Sequence, residues 1–218
     1  MRIGIVGAGN IGGNIARQAR LAGHDVMVSF SRDTEKLNAL ASEVGASVGS
    51  PADAVEFGDV VVISVPWSVL TDALRQAGDL NGKIVIDTTN QFGNGPMPAA
   101  GQTGAAFNQA RMPGARYTKS FNTLTAGFQA AVAGRSGDGR VVQWICGDDA
   151  PAKATVAELI ASMGYAPVDI GGVADCSVME APRRHGAVYG EEYRLADAQA
   201  VVDAVRAGRA IPPTPRYT

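Results

Sequence analysis

The run Arg2-Ile3-Gly4-Ile5-Val6-Gly7-Ala8-Gly9-Asn10-Ile11-Gly12 decides the fold of this chain. Its apolar start predicts a buried strand, and residues 14–19 continue in a pattern compatible with a helix. The glycines between them have the spacing G-x-G-x-x-G. Between a strand and a helix, the first glycine allows a tight turn, the second lets the backbone approach a pyrophosphate, and the third lets helix and strand pack closely. The predicted phosphate-binding residues are Gly7, Gly9, Asn10, Ile11 and Gly12.

The end of the second predicted strand indicates which dinucleotide is bound. An NAD site has an acidic residue about 20 residues beyond the glycines, where it accepts a hydrogen bond from the ribose 2′-hydroxyl. This chain has Ser29-Phe30-Ser31-Arg32 there, with no acid, and Lys36 follows one helical turn later. Ser31, Arg32 and Lys36 offer the charge-assisted donors that a 2′-phosphate prefers. Asp33 suits the N-cap of the helix that begins at Thr34. The sequence therefore predicts NADP rather than NAD.

Two further predicted strands end in candidate ligand-binding residues. The apolar run Val60–Ile63 leads to Val65-Pro66-Trp67, where Trp67 either flanks a cofactor or caps the core. The next strand leads to Thr88-Thr89-Asn90, where Asn90 either hydrogen-bonds an amide-bearing ring or serves as a turn residue. Because doubly wound sheets bind ligands at the carboxyl ends of their strands, both positions are candidate cofactor contacts.

The alternation of strands and helices predicts an α/β fold, a doubly wound Rossmann-type sheet that is mostly parallel. We assign residues 1–172 to this NADP-binding domain. After Gly172 the pattern changes to short helical segments and a proline-rich end. Residues 173–218 are therefore expected to form a short helical C-terminal extension and arm, with an acceptor or dimer surface.

Composition and charge exclude several classes of protein. The chain of 218 residues is 46% hydrophobic and 18% charged, with a formal net charge of −2, as in ordinary globular proteins. It has no basic excess for nucleic acid or anionic membranes. We see neither a signal peptide nor an apolar stretch of about 20 residues, so we expect a cytoplasmic protein with no membrane contact. Cys146 and Cys176 belong to no C-x-x-C pair, which predicts buried free thiols and no metal site.

These motifs together resemble the F420-dependent NADP reductase family, which also includes the cytoplasmic domain of the STEAP metalloreductases. The resemblance covers about residues 1 to 170. The matching segments are Gly7–Gly12, Ser31-Arg32 with Lys36, Val65-Pro66, Ile86–Asn90 and Lys119-Ser120-Phe121-Asn122-Thr123. It implies NADPH along the carboxyl edge of the sheet, with the 2′-phosphate at Ser31, Arg32 and Lys36. It also implies that Val65, Pro66, Asn90 and Ser120 lie near the nicotinamide, and that the protein is a homodimer.

The resemblance implies hydride transfer directly between NADP(H) and a planar redox acceptor, with coenzyme F420 as the best single candidate and no obligatory acid or base. We accordingly name no catalytic residue, and Asn122, His185 and Tyr189 are the substrate-binding candidates. One alternative is an NADPH-dependent reductase of a small carbonyl, imine or enone, with a proton donor among His185, Tyr189 and Tyr193. Another is a non-catalytic NADP(H) sensor, because a Rossmann site by itself indicates binding and not turnover.

Overall fold

One eight-stranded sheet organises the molecule in the computed structural model, which describes residues 1–30, 33–181 and 186–217. Its strands are β1 (Arg2–Val6), β2 (Asp25–Ser29), β3 (Ser47–Val48), β4 (Val60–Ile63), β5 (Ile84–Asp87), β6 (Arg116–Lys119), β7 (Val142–Cys146) and β8 (Ala166–Gly171). The spatial order is β3-β2-β1-β4-β5-β6-β7-β8. Neighbouring strands are parallel except for β6 and β7, which are antiparallel. The predicted doubly wound, mostly parallel α/β fold is confirmed.

Helices connect the strands and cover both faces of the sheet. They are α1 (Asn10–Leu21), α2 (Thr34–Val44), α3 (Pro51–Phe57), α4 (Leu70–Ala77), α5 (Gly104–Ala110), α6 (Ala126–Val132), α7 (Ala150–Ser162) and α8 (Leu195–Arg206). Short 3-10 helices lie at Trp67–Val69, Gly137–Gly139 and Asp175–Met179. The side chains of Asp33, Thr103 and Asp149 each accept a hydrogen bond from the third residue of the helix that follows. These N-caps fix where α2, α5 and α7 begin, and the cap at Asp33 is the one that the sequence analysis predicts.

The apolar run of β4 shows why the sheet needs helices on both faces. Every residue of Val60–Ile63 is buried, and successive side chains point to opposite faces. Val61 and Ile63 pack into one hydrophobic core, while Val60 and Val62 pack into the other. The two cores therefore lie on opposite faces of the central strands, as expected for a parallel sheet.

The segment Ser47–Phe57 contains two elements that the sequence analysis does not predict. Strand β3 has two residues, both exposed, so it carries no periodic signal. Helix α3 has Pro51 at its start and a capping box, in which the Ser50 and Asp53 side chains each bind the other's backbone N–H. The capping-box spacing of Ser50 and Asp53 is visible in the sequence. The helix that it starts has only seven residues, so it leaves little periodic pattern.

The C-terminal region packs on the same body as the strands. Val188, Tyr193 and Val201 belong to the core that also contains β7 residues. The backbone N–H of Val142 in β7 donates to the Tyr193 carbonyl at 2.8 Å. The chain end returns to α8, where the Tyr217 hydroxyl donates to Asp197 at 2.6 Å. The arm therefore lies against its own chain.

The two cysteines are bonded to each other, so the expectation of free thiols is wrong. Cys146 and Cys176 form a disulfide, with Cα atoms 6.0 Å apart and both residues fully buried. The bond joins the end of β7 to the 3-10 helix Asp175–Met179. The residues lie 30 positions apart, and only the tertiary fold brings these elements together.

No helix within the described residues is long and apolar enough to cross a membrane.

Candidate active site

The glycine turn after β1 places the start of α1 at the carboxyl edge of the sheet. Gly7 has φ +112°, a backbone conformation that residues with a Cβ atom rarely adopt. Gly9 is the N-cap of α1 and supplies no side-chain cap to the first N–H groups of the helix. A Cβ atom on Gly9 would have no neighbour within 4 Å. The open N-terminus of α1 suits an anionic group such as a pyrophosphate.

Gly12 serves packing and does not contact the opening. A Cβ atom at this position would overlap the carbonyl oxygen of Gly7, and it would also crowd the side chain of Ser64. Helix α1 can therefore approach the turn and β4 only when residue 12 is glycine. This is the role that the third glycine of the motif is predicted to have.

A cleft of about 440 Å³ opens from this helix terminus along the carboxyl ends of the strands. Its walls come from the segments after β1, β4, β5 and β6, and from Tyr189 in the C-terminal region. The lining residues are Gly9, Asn10, Ile11, Ser64, Val65, Pro66, Trp67, Thr88, Thr89, Asn90, Phe92, Phe121, Asn122, Leu124, Thr125, Ala126 and Tyr189. None of these described lining residues is an acid, a lysine, an arginine or a histidine.

Most of the predicted site residues meet in this cleft. Those that line it are Gly9, Asn10, Ile11, Val65, Pro66, Trp67, Asn90, Asn122 and Tyr189. Gly7, Gly12 and Ser120 lie outside its lining, and all three are buried. Lys36 lies on α2, where its side chain is 85% exposed and its ammonium is 3.1 Å from the Asp33 carboxylate. The predicted residues Ser31, Arg32 and His185 fall outside the part of the chain that the structure describes.

Trp67 both borders the cleft and closes the core beneath it. Its side chain is buried, its indole N–H donates to the Pro96 carbonyl at 2.9 Å, and its ring stacks on Phe107 at 5.9 Å between centroids. From this one position Trp67 caps the core and could also flank a cofactor, which are the two roles that the sequence leaves open.

Asn90 and Asn122 form a mutually bonded pair in the wall of the cleft. The Asn90 side-chain amide donates to the Asn122 carbonyl at 2.8 Å, and the Asn122 side-chain amide donates to Asn90 Oδ1 at 3.1 Å. Asn122 Nδ2 also donates to the Met179 carbonyl at 2.8 Å. The pair therefore joins the ends of β5 and β6 to the C-terminal region and holds all three in one geometry.

Phe121 holds Asn122 in place through an uncommon backbone conformation. Its φ is +59°, in the left-handed region that bulky residues rarely occupy. The ring is buried and meets Tyr165 edge to face at 6.1 Å, while the Phe121 carbonyl accepts a hydrogen bond from Gln129 at 3.0 Å. Such conformations cost free energy and cluster at functional sites.

A buried charged cluster lies directly behind the segment Thr88–Asn90. The Lys119 ammonium donates to the Thr89 carbonyl at 2.6 Å and lies 3.4 Å from the Asp87 carboxylate. Burial favours the neutral acid, but Lys119 and hydrogen bonds from Tyr117 and Asn108 together hold the pKa of Asp87 below its usual range. Burial, reinforced by Asp87, raises the pKa of Tyr117 well above its usual value, so its hydroxyl remains a donor.

The two tyrosines considered as proton donors lie in different environments. Tyr189 lines the cleft, and its hydroxyl makes no hydrogen bond with any described residue. Burial raises its pKa, which keeps the hydroxyl protonated. Tyr193 is buried against Trp144, with ring centroids 5.4 Å apart, and it does not reach the cleft. Tyr193 is therefore a core residue, and its candidacy as a donor is wrong.

Several cleft residues are missing from the sequence prediction. They are Ser64, Thr88, Thr89, Phe92, Phe121, Leu124, Thr125 and Ala126. Most of them adjoin predicted residues at strand ends, so the rule that ligands bind at these ends indicates their neighbourhood. Phe92 has no such signal, because it stands in an irregular glycine-rich stretch. Among the described residues, no group of three or more metal-ligating side chains is assembled.

Comparisons with known proteins agree with this geometry. Residues 2–91 match the family model described as NADP oxidoreductase, coenzyme F420-dependent. The chain is 30% identical over 181 residues to metalloreductase STEAP3 of Rattus norvegicus, a match that covers 83% of the chain and 36% of that protein. The chain thus spans about a third of the length of this curated relative.

Two solved structures share the fold over most of their length. A hypothetical protein from Sinorhizobium meliloti has 30% identity and a TM-score of 0.78, covering 89% of this chain and 95% of that one. An F420-dependent NADP reductase, described as putative, from Arthrobacter sp. FB24 has 26% identity and a TM-score of 0.66, covering 80% and 86%. The glycine turn, the strand-end cleft and these matches together make the chain similar to the family of F420-dependent NADP oxidoreductases, whose model matches residues 2–91.

Proposed function

We propose that this protein transfers a hydride directly between NADP(H) and a planar redox acceptor, with coenzyme F420 as the best candidate. The observation that carries the proposal is one continuous cleft, which runs from the open N-terminus of α1 to Asn90, Asn122 and Tyr189. In the sheet, β4 and β5 lie between β1, which α1 follows, and β6, which Asn122 follows. A dinucleotide bound at the start of α1 and lying along the strand ends would therefore extend its nicotinamide half toward these residues.

The proposal assigns residues of the chain to each part of NADP(H). The uncapped start of α1 and the empty space around Gly9 suit the pyrophosphate. Ser31, Arg32 and Lys36 would bind the 2′-phosphate, and Val65, Pro66, Trp67 and Asn90 would surround the nicotinamide. Ser120 would lie behind that end of the cofactor, where its hydroxyl is buried and has no hydrogen-bond partner among the described residues.

The protein's part in the reaction would be positioning. Bound NADPH supplies the hydride, and transfer requires the reacting carbons to be held about 3–3.5 Å apart in a site that excludes water. The Asn90–Asn122 pair and the buried Trp67 give the cleft fixed walls. In such a reaction the cofactor carries the chemistry, and the residues of the chain supply orientation and electrostatics.

A turnover assay tests the acceptor. Purified protein with NADPH is offered coenzyme F420, FMN and riboflavin, and the oxidation of NADPH is followed by its absorbance. We expect reduction of F420 to be the fastest. Tight NADPH binding with no turnover on any of the three would contradict the proposal and favour the NADP(H) sensor.

The Tyr189 hydroxyl favours one second candidate, reduction of a small carbonyl, imine or enone. Such reductions need a proton as well as a hydride, and this hydroxyl is protonated, lines the cleft and has no described partner. The Tyr189→Phe variant removes only the hydroxyl. Loss of turnover on such substrates with unchanged NADPH affinity would support this candidate, whereas unchanged turnover would count against it.

The C-terminal region would have two roles in this proposal. Residues 173–218 contribute Tyr189 to the cleft, and their remaining surface would form a homodimer contact. We also propose a cytoplasmic location, with the small-molecule acceptor as the other partner. Light scattering on the purified protein tests the homodimer, and a monomer at micromolar concentration would contradict it.

A further inference from the structure

Three consecutive residues of the C-terminal region each bind a different part of the body that carries the cleft. They are Met179, Glu180 and Ala181, which we call the bridge segment. The Met179 carbonyl accepts a hydrogen bond from Asn122 Nδ2 at 2.8 Å. The Ala181 N–H donates to Asn90 Oδ1 at 3.3 Å. The bridge segment therefore contacts both members of the asparagine pair in the cleft wall.

The middle residue, Glu180, fastens the bridge segment to the start of α5. Glu180 is only 3% exposed, and its carboxylate accepts the backbone N–H groups of Gly104 at 2.8 Å and Ala105 at 2.7 Å. The Gln91 side-chain amide donates to the same carboxylate at 3.3 Å. A buried carboxylate needs such compensation, and charge-assisted hydrogen bonds are among the stronger ones in proteins. Glu180 thus holds the bridge segment in one position relative to α5.

Glycine at position 104 leaves room for this carboxylate. A Cβ atom on Gly104 would lie 3.1 Å from Glu180 Oε1 and would overlap the side-chain amide of Gln91. Gly104 is not among the glycines with positive φ, so its backbone conformation does not require glycine. The close approach of Glu180 and Gln91 is what requires a residue without a side chain at the start of α5.

The bridge segment also fixes the orientation of both asparagine amides. Asn122 Nδ2 donates to Asn90 Oδ1 and to the Met179 carbonyl, and Asn90 Oδ1 accepts from Asn122 and from the Ala181 N–H. Turning the Asn122 amide over would set its oxygen against the Met179 carbonyl. Turning the Asn90 amide over would set its NH₂ group against the Ala181 N–H. Each amide can therefore reorient only by breaking a hydrogen bond to the bridge segment.

We propose that Glu180 is a positioning residue for the cofactor. By holding the bridge segment on α5, Glu180 fixes the amides of Asn90 and Asn122 and, through them, the place of the nicotinamide. Glu180 lies outside the described cleft lining, so it acts through the asparagines and not by contact with the cofactor. This inference rests on the proposed function, which puts the nicotinamide beside Asn90.

The role predicts which property of the protein depends on Glu180. Hydride transfer needs the reacting carbons at a fixed separation, and a displacement of about 1 Å can slow a reaction by about 100-fold. The pyrophosphate and the 2′-phosphate would bind at the other end of the cleft, away from the bridge segment. Loss of the Glu180 carboxylate should therefore loosen the nicotinamide and leave the phosphate contacts in place.

Fluorescence of bound NADPH tests the role without turnover, because a reduced nicotinamide held in a protein fluoresces more strongly than one in water. Glu180→Gln keeps the size of the side chain but removes the charge and replaces one acceptor oxygen by a donor. We expect this variant to lose most of the fluorescence enhancement at saturating NADPH. Its affinity for 2′-phospho-ADP-ribose, which lacks the nicotinamide, should stay within about twofold of wild type by calorimetry.

Asp53→Asn is the matched control for the loss of charge. The Asp53 carboxylate belongs to the capping box of α3, which has seven residues like α5, and it lies outside the cleft lining. This variant should keep the NADPH fluorescence and the fragment affinity of the wild type.

Gly104→Ala tests the same contact from the side of α5. Alanine is the better helix former, so the substitution does not weaken the helix itself, but the added Cβ crowds the Glu180 carboxylate. We expect the same loss of NADPH fluorescence as in Glu180→Gln. Gly127→Ala is the control, because Gly127 lies in the first turn of α6 and a Cβ there meets nothing within 4 Å.

Thermal unfolding shows which variants are folded and can be compared. Unchanged NADPH fluorescence in either folded variant of the Glu180–Gly104 contact would overturn the proposal. A parallel fall in the affinity for 2′-phospho-ADP-ribose would also overturn it, because Glu180 would then support the whole site and not the nicotinamide end. So would a wild type whose bound NADPH fluoresces like the free cofactor.

Steady-state kinetics give a second readout, with the acceptor that the wild type reduces fastest. We expect Glu180→Gln to lower kcat about tenfold while the KM for NADPH changes less than about threefold. A raised KM with an unchanged kcat would contradict a positioning role.

The two readouts separate this proposal from the proposed function. If no acceptor is reduced but the fluorescence of bound NADPH depends on Glu180, hydride transfer fails and the positioning role stands. If an acceptor is reduced with the same kcat by the wild type and Glu180→Gln, the positioning role fails and the proposed function stands.

Discussion

The Lys119 ammonium lies 3.4 Å from the Asp87 carboxylate, and both side chains are almost completely shielded from solvent. Lys119 also donates to the Thr89 carbonyl, so the ion pair supports the backbone just before Asn90 in the cleft wall. Asp87 accepts further hydrogen bonds from Tyr117 at 2.6 Å and Asn108 at 2.8 Å. The pair is thus the centre of a buried polar cluster and not an isolated contact.

Removing one partner of this pair should strongly destabilise the fold. Lys119→Met leaves the Asp87 carboxylate buried without its cation, and breaking a buried pair in this way costs about 3–5 kcal/mol. The free energy of unfolding in urea measures the effect. Arg75→Met is the control, since its pair with Asp72 is 73% and 50% exposed and should contribute less than about 1 kcal/mol. An equal loss of unfolding free energy in the two variants would contradict the claim that burial makes the Lys119–Asp87 pair more important for stability than the exposed pair.

Gly9 and Gly12 should respond differently to alanine. At Gly12 the added Cβ would overlap the Gly7 carbonyl, so Gly12→Ala should lower the melting temperature of the ligand-free protein. At Gly9 the Cβ meets nothing within 4 Å, so Gly9→Ala should fold like the wild type. Because Gly9 borders the proposed pyrophosphate site, this variant should instead weaken NADPH binding, by about tenfold. Thermal unfolding and NADPH fluorescence titration distinguish the outcomes, and a Gly9→Ala protein with full NADPH affinity would refute the assigned site.

The Asp149 carboxylate should make stability depend on acid pH. Hydrogen bonds from Arg116 and from the backbone N–H of Ala152 lower the pKa of this carboxyl from 3.8 to about 2. Since the folded-state pKa is depressed, the stabilisation is present above pH 3.8 and is lost as the pH falls toward 2.

Asp149→Asn isolates this effect, because asparagine still caps α7 but carries no charge. The variant should be less stable than the wild type by about 1 kcal/mol near pH 6, a modest value because the pair with Arg116 is partly exposed. The difference should shrink as the pH is lowered, and urea unfolding over this range measures it. A difference that does not change with pH would show that Arg116 is not the partner that matters.

The sequence predicts the sheet and half of the cleft for a clear physical reason. The glycine spacing, the continuous apolar run of Val60–Ile63 and the residues at strand ends are local signals with a known geometry. They correctly bring Ile11, Pro66 and Asn90 to one edge. Phe92 and the disulfide partners Cys146 and Cys176 are positioned by contacts between segments far apart in the chain, which no local pattern encodes.

Tyr193 shows that local sequence can also suggest a site residue that the fold places away from the site. In the sequence it stands four positions after Tyr189, and both tyrosines have the chemistry of a proton donor. The fold places Tyr193 against Trp144 in the core and Tyr189 in the cleft. Four positions in an irregular segment carry no periodicity, so only the tertiary contacts decide which of the two rings reaches a ligand.

Arg32→Ala should distinguish the two nicotinamide cofactors. The proposed role of Arg32 is to bind the 2′-phosphate, which only NADP(H) carries, and a hydrogen bond to a charged group contributes about 1.5–3 kcal/mol. NADPH affinity should therefore fall by roughly 10- to 100-fold while NADH affinity stays nearly constant, as measured by fluorescence titration with each cofactor. Arg75→Ala removes the same charge from an exposed pair on α4 and controls for net charge, so it should change neither affinity. If Arg32→Ala weakened both cofactors equally, the preference for NADP would have to come from other residues.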